Sequence, residues 1–213
     1  MVYNKESALA ISRYLLQIKA VKLNVAEPFT WASGMKSPIY CDNRKTLSFP
    51  KIRTFIRQQF VDIITEEYGS VDLIAGVATG AIAHGVLVAE AMGLPFVYVR
   101  ASGKKHGLEN KIEGEYKSGQ RVVVIEDLIS TGKSSLDAVD ALQAAGCDVK
   151  GMTAIFSYNL DVAKENFKKA KCPLHILDDY ETLVGFAVEN NYISDKDLGS
   201  LKKWRKDPGK WGE

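Results

Sequence analysis

RVVVIEDLISTGKSS, residues 121–135, sets an apolar run, two adjacent carboxylates and a small-residue loop in fifteen consecutive positions. Val122, Val123, Val124 and Ile125 form a continuous β-branched run, the composition of a strand buried on both faces of a parallel sheet. Glu126 and Asp127 are expected to end that strand. Ser130, Thr131, Gly132, Lys133, Ser134 and Ser135 follow as a loop, and Leu136, Val139, Ala141, Leu142 and Ala145 then recur at helical spacing. The unit reads strand, loop, helix, so the fold class is α/β with a parallel sheet.

Such a loop aims several backbone N–H groups and hydroxyls at one point, backed by the positive end of a helix dipole, and that suits a phosphate. The acids stand just before it, at the carboxyl end of the strand, where open α/β sheets bind their ligands and where carboxylates can accept hydrogen bonds from sugar hydroxyls. A ligand carrying both a ribose and a phosphate satisfies both halves. Two acids directly after four buried β-branched residues are costly without a partner, which tells against plain helix caps. GKS occurs at Gly132 to Ser134, but Asp127 holds the place of the first glycine of a Walker A loop. No G-x-G-x-x-G follows any predicted strand, so a dinucleotide fingerprint is also absent.

The run VVVIEDLISTGKSS resembles the phosphoribosyl-diphosphate (PRPP) signature of type I phosphoribosyltransferases: hydrophobic strand, two acids, then a T-G-x-S phosphate loop. Three further segments resemble bacterial orotate phosphoribosyltransferases within that family. The first is SGMKSPIYCDNR, Ser33 to Arg44, where turn residues alternate with aromatics as in a short hairpin or hood. It looks like the segment that covers the base-binding side of the site, with Ala32 where many members carry a lysine. The second is VDLIAGVATGAIAHG, a buried strand and a tight small-residue loop in which backbone amides can approach an anion. By resemblance Ala78, Thr79 and Gly80 receive the pyrophosphate of PRPP, while His84 reads as a core histidine.

The third is RASGKKHGLENKIEGEYK, Arg100 to Lys117, polar and without apolar periodicity, which reads as either a disordered segment or a functional lid. Tyr98, Arg100, Lys104, His106 and Gly107 match the Y-x-R-x-x-x-K-x-H-G pattern of the family's mobile catalytic loop, with Ala101 where a second basic residue often stands. The family lays this loop over the neighbouring subunit's site, so the resemblance implies a homodimer with a shared catalytic loop. In some members an arginine beyond the next strand contacts orotate; here Ser157 to Val162 reads SYNLDV, with none.

Further strands are expected near 71–77, 95–100 and 149–156, with a short one from Cys172 to Leu177. Helices are expected from Ser7 to Ile18, from Pro50 to Tyr68, from Asp161 (as N-cap) to Ala170, from Asp179 to Asn190 and from Ser194 to Arg205. The tail KDPGKWGE reads as frayed. The chain of 213 residues, 46% hydrophobic, is expected to form one domain: hood about 20–48, core about 50–190, C-terminal helix and tail 194–213.

Net charge is only +2, from 28 basic and 26 acidic residues, which excludes a nucleic-acid binder acting through bulk electrostatics. Cys41, Cys147 and Cys172 show no metal spacing and suit a reducing, cytoplasmic setting. Lys5, Glu6, Arg13 and Lys19 break up the N-terminal apolar stripe, so neither a signal peptide nor a membrane span is expected there.

What the resemblance implies is Mg²⁺-dependent transfer of ribose 5-phosphate from PRPP to orotate, giving orotidine 5′-monophosphate and pyrophosphate, with no protein-held metal site. Catalysis would rest on Arg100, Lys104, His106 and Asp127. PRPP would be held by these together with Glu126, Leu128, Ile129, Ser130, Thr131, Gly132, Lys133 and Ser134, and orotate by Ser130. Two alternatives stay open: transfer to a purine or another base, or a non-catalytic PRPP-binding regulator on the same fold.

Overall fold

A computed structural model describes residues 2–31, 34–101 and 111–211. Helix α1, Lys5–Gln17, is capped by Asn4, whose side-chain oxygen accepts from Ser7 N, and it turns Ile11, Leu15 and Leu16 inward. The hood follows as two small antiparallel pairs: β1 (Val21–Leu23) with β4 (Ile39–Cys41), and β2 (Phe29–Thr30) with β3 (Lys36–Ser37). A 3₁₀ segment, Asn43–Ser48, leads to α2, Pro50–Ile63, which continues as a π turn to Tyr68. The core then alternates β5 (Leu73–Val77), α3 (Ile82–Met92), β6 (Phe96–Val99), β7 (Ile112–Glu113), β8 (Arg121–Ile129), α4 (Lys133–Ala144), β9 (Asp148–Ser157), α5 (Asp161–Lys169), β10 (Leu174–Asp179) and α6 (Tyr180–Glu189). A C-terminal helix, α7 (Leu198–Lys206), closes the chain.

The main sheet has strand order β10-β9-β8-β5-β6-β7, parallel except for β7, which runs antiparallel to β6. Along β8 the side chains alternate between two cores. Val123 and Ile125 pack with α1, α2, α6 and α7, and Val122 and Val124 pack with α4 and α5. Both faces are covered, which is why four consecutive β-branched residues are tolerated in one strand. From β5 the chain winds one way through β6, and from β8 the other way through β9 and β10. The switch point therefore lies between β5 and β8, and a crevice opens at their carboxyl ends.

The structure corrects several expectations. Strand β8 does not end at the acids but carries them within it, pairing Glu126 with Ala154 and Ile129 with Ser157 of β9. The acids are accommodated there because β5 pairs with β8 only as far as Gly76 opposite Ile125, leaving the flank beyond open. The N-cap of α5 is Leu160, with Asp161 in the first turn, where its charge still complements the helix dipole. Ser194 does cap the C-terminal element, through a capping box, but the turn it opens is 3₁₀ at Asp195–Asp197 before α7 begins. Part of the expected lid is the edge strand β7. The tail through Trp211 is not frayed: Trp211 Nε1 donates to Ser200 Oγ at 3.0 Å.

His84 on α3 is 1% exposed, and burial pushes its pKa down to about 4. A depressed folded value means the unfolded chain binds the proton more readily, so this contribution is complete above about pH 6.5 and lost as pH falls toward 4. Relative to a His84→Gln variant, which does not titrate, the wild type is expected to lose roughly 2–3 kcal/mol between pH 7.5 and 4.5 in urea unfolding. A pH-independent difference would remove the effect.

Candidate active site

A cleft of about 460 Å³ sits at the switch point. Its walls are the β5–α3 loop at Ala78, Thr79 and Gly80, the end of β6 at Arg100, the acids of β8, the first turns of α4, and the hood at Cys41, Asp42 and Arg44. Segments separated by some ninety residues thus meet on one site.

Glu126 is buried at 4% exposure, its Oε1 accepting from Asp127 N at 2.9 Å and its Oε2 from Ser135 Oγ at 2.7 Å. Desolvation first, and then the Asp127 charge, raise its pKa to about 8. Glu126 thus sits as a buried splint under the strand, and Asp127 presents the more open carboxylate. Gly80 makes room for it: a Cβ built at Gly80 would stand 2.2 Å from Asp127 Oδ2. Gly80→Ala is therefore expected to displace the carboxylate and cut kcat about 10²-fold with little change in melting temperature, since sub-ångström placement governs such sites. Full activity in that variant would show that Asp127 tolerates displacement.

The phosphate-type loop is shaped from outside itself. Gly132 adopts φ +76°, where a Cβ would meet Phe167 Cε2 at 2.7 Å, so a larger residue is both strained and obstructed. Asn166 Nδ2 donates to Thr131 O at 3.0 Å, tying the loop to α5. Among the described residues, the amides of Gly132, Ser134 and Ser135 have no acceptor within the protein, and they surround the positive end of α4.

Thr79, Gly80, Ala78, Arg100, Glu126, Asp127, Leu128 and Ser134 line the cleft. Ser130, Thr131, Gly132 and Lys133 lie in the loop beside it but are not among the lining residues. The Ile129 side chain is fully buried in the α4–α5 core, so only its backbone is available near a ligand. Arg100 stands on the wall, held by Glu113 Oε1 at 2.8 Å across the β6–β7 pair. Lys104, His106 and Ala32 lie outside the described residues.

Sequence reasoning passed over Asn43, whose Nδ2 donates to Asp127 O at 2.6 Å, and Arg44, which pairs with Asp42 at 2.6 Å on the cleft rim. Only the D-N-R run after the hood could have signalled them. It also passed over the aromatic block behind the hood, where Trp31 stacks on Tyr158 (5.2 Å, 28°) and both meet Trp204 of α7. Lys36 turns away from the cleft and donates to Thr30 Oγ1.

A parallel sheet with an acid pair and a small-residue loop at its switch point is an arrangement suited to a phosphorylated sugar. The model of the phosphoribosyl transferase domain matches residues 48–191, the span holding the sheet and most of the cleft. A curated orotate phosphoribosyltransferase of Bacteroides thetaiotaomicron is 57% identical over 197 residues, 92% of this chain and 93% of that protein. Among solved structures, Leishmania donovani UMP synthase superposes with TM-score 0.78 at 25% identity, over 94% of this chain and 42% of that one. The Aeropyrum pernix orotate phosphoribosyltransferase superposes with TM-score 0.74 at 23% identity, over 86% of this chain and 99% of that one. The chain belongs to the phosphoribosyltransferase family, in its orotate phosphoribosyltransferase branch.

Among the described residues no helix is long and apolar enough to cross a membrane, and no group of three or more His, Cys, Asp or Glu side chains could hold a metal ion by itself.

Proposed function

We propose that this enzyme transfers ribose 5-phosphate from PRPP to orotate, forming orotidine 5′-monophosphate and pyrophosphate, a step in making UMP. The observation that carries the reading is the meeting, on one cleft, of the Asp127 carboxylate, the Ala78–Gly80 loop and Ser134 at the start of α4. Relatives sharing more than half of their residues with this chain and named for orotate favour that base over a purine.

Breaking the C1–O bond of PRPP builds positive charge on the ribose and negative charge on the leaving pyrophosphate, so groups of both signs are needed where those charges develop. Asp127 accepts from the ribose hydroxyls and favours the cationic ring, with Glu126 splinting it from below. The loop from Ser130 to Ser134 anchors the 5′-phosphate. Ala78, Thr79 and Gly80 face the pyrophosphate, and Arg100, Lys104 and His106 bring positive charge to it. The donor set fits Mg²⁺: Asp127 is an open carboxylate beside oxygens that the substrate supplies, the arrangement this ion prefers to an all-protein cage. When bound, the ion neutralises charge on the departing group.

The working form is a homodimer in which the catalytic loop beyond Arg100, with Lys104 and His106, serves the other copy's cleft, while Arg100 lines its own, acting in the cytoplasm. Lys104→Ala is expected to lower kcat about 10²-fold while changing PRPP affinity far less, because its charge acts as the pyrophosphate leaves. Unchanged turnover would remove Lys104 from the mechanism. The reaction itself is tested by turnover with PRPP and Mg²⁺ against orotate, uracil, adenine, hypoxanthine and xanthine. Consumption of orotate alone is expected; turnover of another base instead, or PRPP binding without any turnover, would overturn the reading.

A further inference from the structure

The polar groups between the hood and the sheet form one connected chain. Asn43 Nδ2 donates to Asp127 O at 2.6 Å, and Thr46 Oγ1 donates to Asn43 O at 2.6 Å. Thr46 Oγ1 also stands 3.0 Å from His84 Nε2. A hydroxyl has one proton, and Thr46 gives it to Asn43, so at the second contact the histidine must donate. That makes the ring the neutral tautomer with hydrogen on Nε2, which leaves Nδ1 as a buried acceptor without a partner among the described residues. Asn43, Thr46 and His84 are each at most 1% exposed.

Burying these groups is costly, and an orphaned ring nitrogen adds to the cost; a leucine at position 84 would fill the space without it. The geometry shows what the chain is attached to. Helix α3, which carries His84, begins two residues after Gly80, and Gly80 abuts the Asp127 carboxylate. Asp127 is therefore held at its carbonyl by Asn43 and confined at its carboxylate by the close approach of Gly80, and both contacts lead back to α3.

We propose that Asn43, Thr46 and His84 are positioning residues for Asp127, a buried hydrogen-bonded chain that sets the carboxylate against the ribose and holds the hood in register with it. This rests on the proposed reaction, since it takes the ribose of PRPP as what Asp127 faces. A chain of this kind fails as a unit, whereas independent packing contacts fail separately.

The test compares His84→Gln, His84→Asn, His84→Leu, Asn43→Ala and the Asn43→Ala/His84→Leu double variant by PRPP affinity in calorimetry, by kcat and by melting temperature. A glutamine amide nitrogen reaches where Nε2 stands and an asparagine does not. Losing the chain is expected to weaken PRPP and lower kcat about 10-fold in Asn43→Ala, His84→Leu and His84→Asn, with His84→Gln within about 3-fold of wild type. The double variant is expected to lose about as much as either single one, because the second break finds the chain already cut.

Losses that multiply in the double variant would overturn the proposal, as would His84→Gln behaving like His84→Leu, or lower melting temperatures with PRPP affinity and kcat unchanged. If Asn43→Ala does not fold, Thr46→Val against Thr46→Ser makes the same comparison. Orotate turnover by the wild type reports the reaction separately. A wild type that binds PRPP but leaves orotate untouched would remove the reaction while the affinities still score the chain.

Discussion

Asp127→Asn is expected to lower kcat about 10³-fold, equivalent to about 4 kcal/mol of transition-state stabilisation, while the melting temperature stays within about 2 °C. The amide keeps the shape that fits against Gly80 and the backbone carbonyl that Asn43 holds. What it loses is the charge opposing the positive ribose, and in a partly desolvated cleft that charge is worth more than in water.

A second signature should accompany this loss. The raised pKa of Glu126 means the folded protein binds that proton more tightly than the unfolded chain, so its contribution is complete below about pH 4.5 and lost as pH rises through about 8. Because the Asp127 charge is part of the cause, Asp127→Asn should flatten that decline, read as urea midpoints across pH 5 to 9. A variant with near-normal kcat would show that Asp127 only shapes the site.

Trp204→Ala is expected to cost about 4 kcal/mol of stability, seen as a melting temperature lower by about 10 °C. Trp204 is fully buried and packs at once on Trp31 of the hood, Tyr158 after β9 and Tyr180 of α6, with ring centroids at 5.8, 5.5 and 5.3 Å. No single neighbour can collapse into the space without moving the others. Arg205, next on α7, donates to Asn159 O at 3.0 Å and pairs with Glu181, so helix and loop are joined by polar contacts as well. Trp204→Phe should be much milder, at about 1 kcal/mol, because the indole Nε1 is buried without a partner among the described residues and its removal relieves that group. Equal losses in the two variants would mean that the indole's polar edge matters in a way the packing does not explain.

The segments that form the cleft were legible where their signals are local. An acid pair, a glycine-bearing hydroxyl loop and a small-residue loop each declare themselves within a few residues, because phosphate binding needs backbone amides and small side chains at consecutive positions. Asn43 was not legible, because its importance lies in reaching a carbonyl 84 positions away. The boundary of β8 was misread for a related reason: adjacent acids stop a strand by propensity, but pairing with β9 carries this one on to Ile129. The tail was misread because its anchor, Trp211 on Ser200, is a contact between turns of a helical end that a polar composition conceals.

Periodicity and backbone freedom are written into neighbouring residues, so the α/β class, the strand–loop–helix unit and the acid pair with its small-residue loop could be read from the chain alone. That Gly80 and Asp127 must fit against each other, that Phe167 and Asn166 shape the loop before α4, and that a buried chain from His84 ends at Asp127 emerged only with the fold. Those are close approaches between segments far apart in the chain, and a Cβ 2.2 Å from a carboxylate becomes an obstacle only once folding has brought the two together.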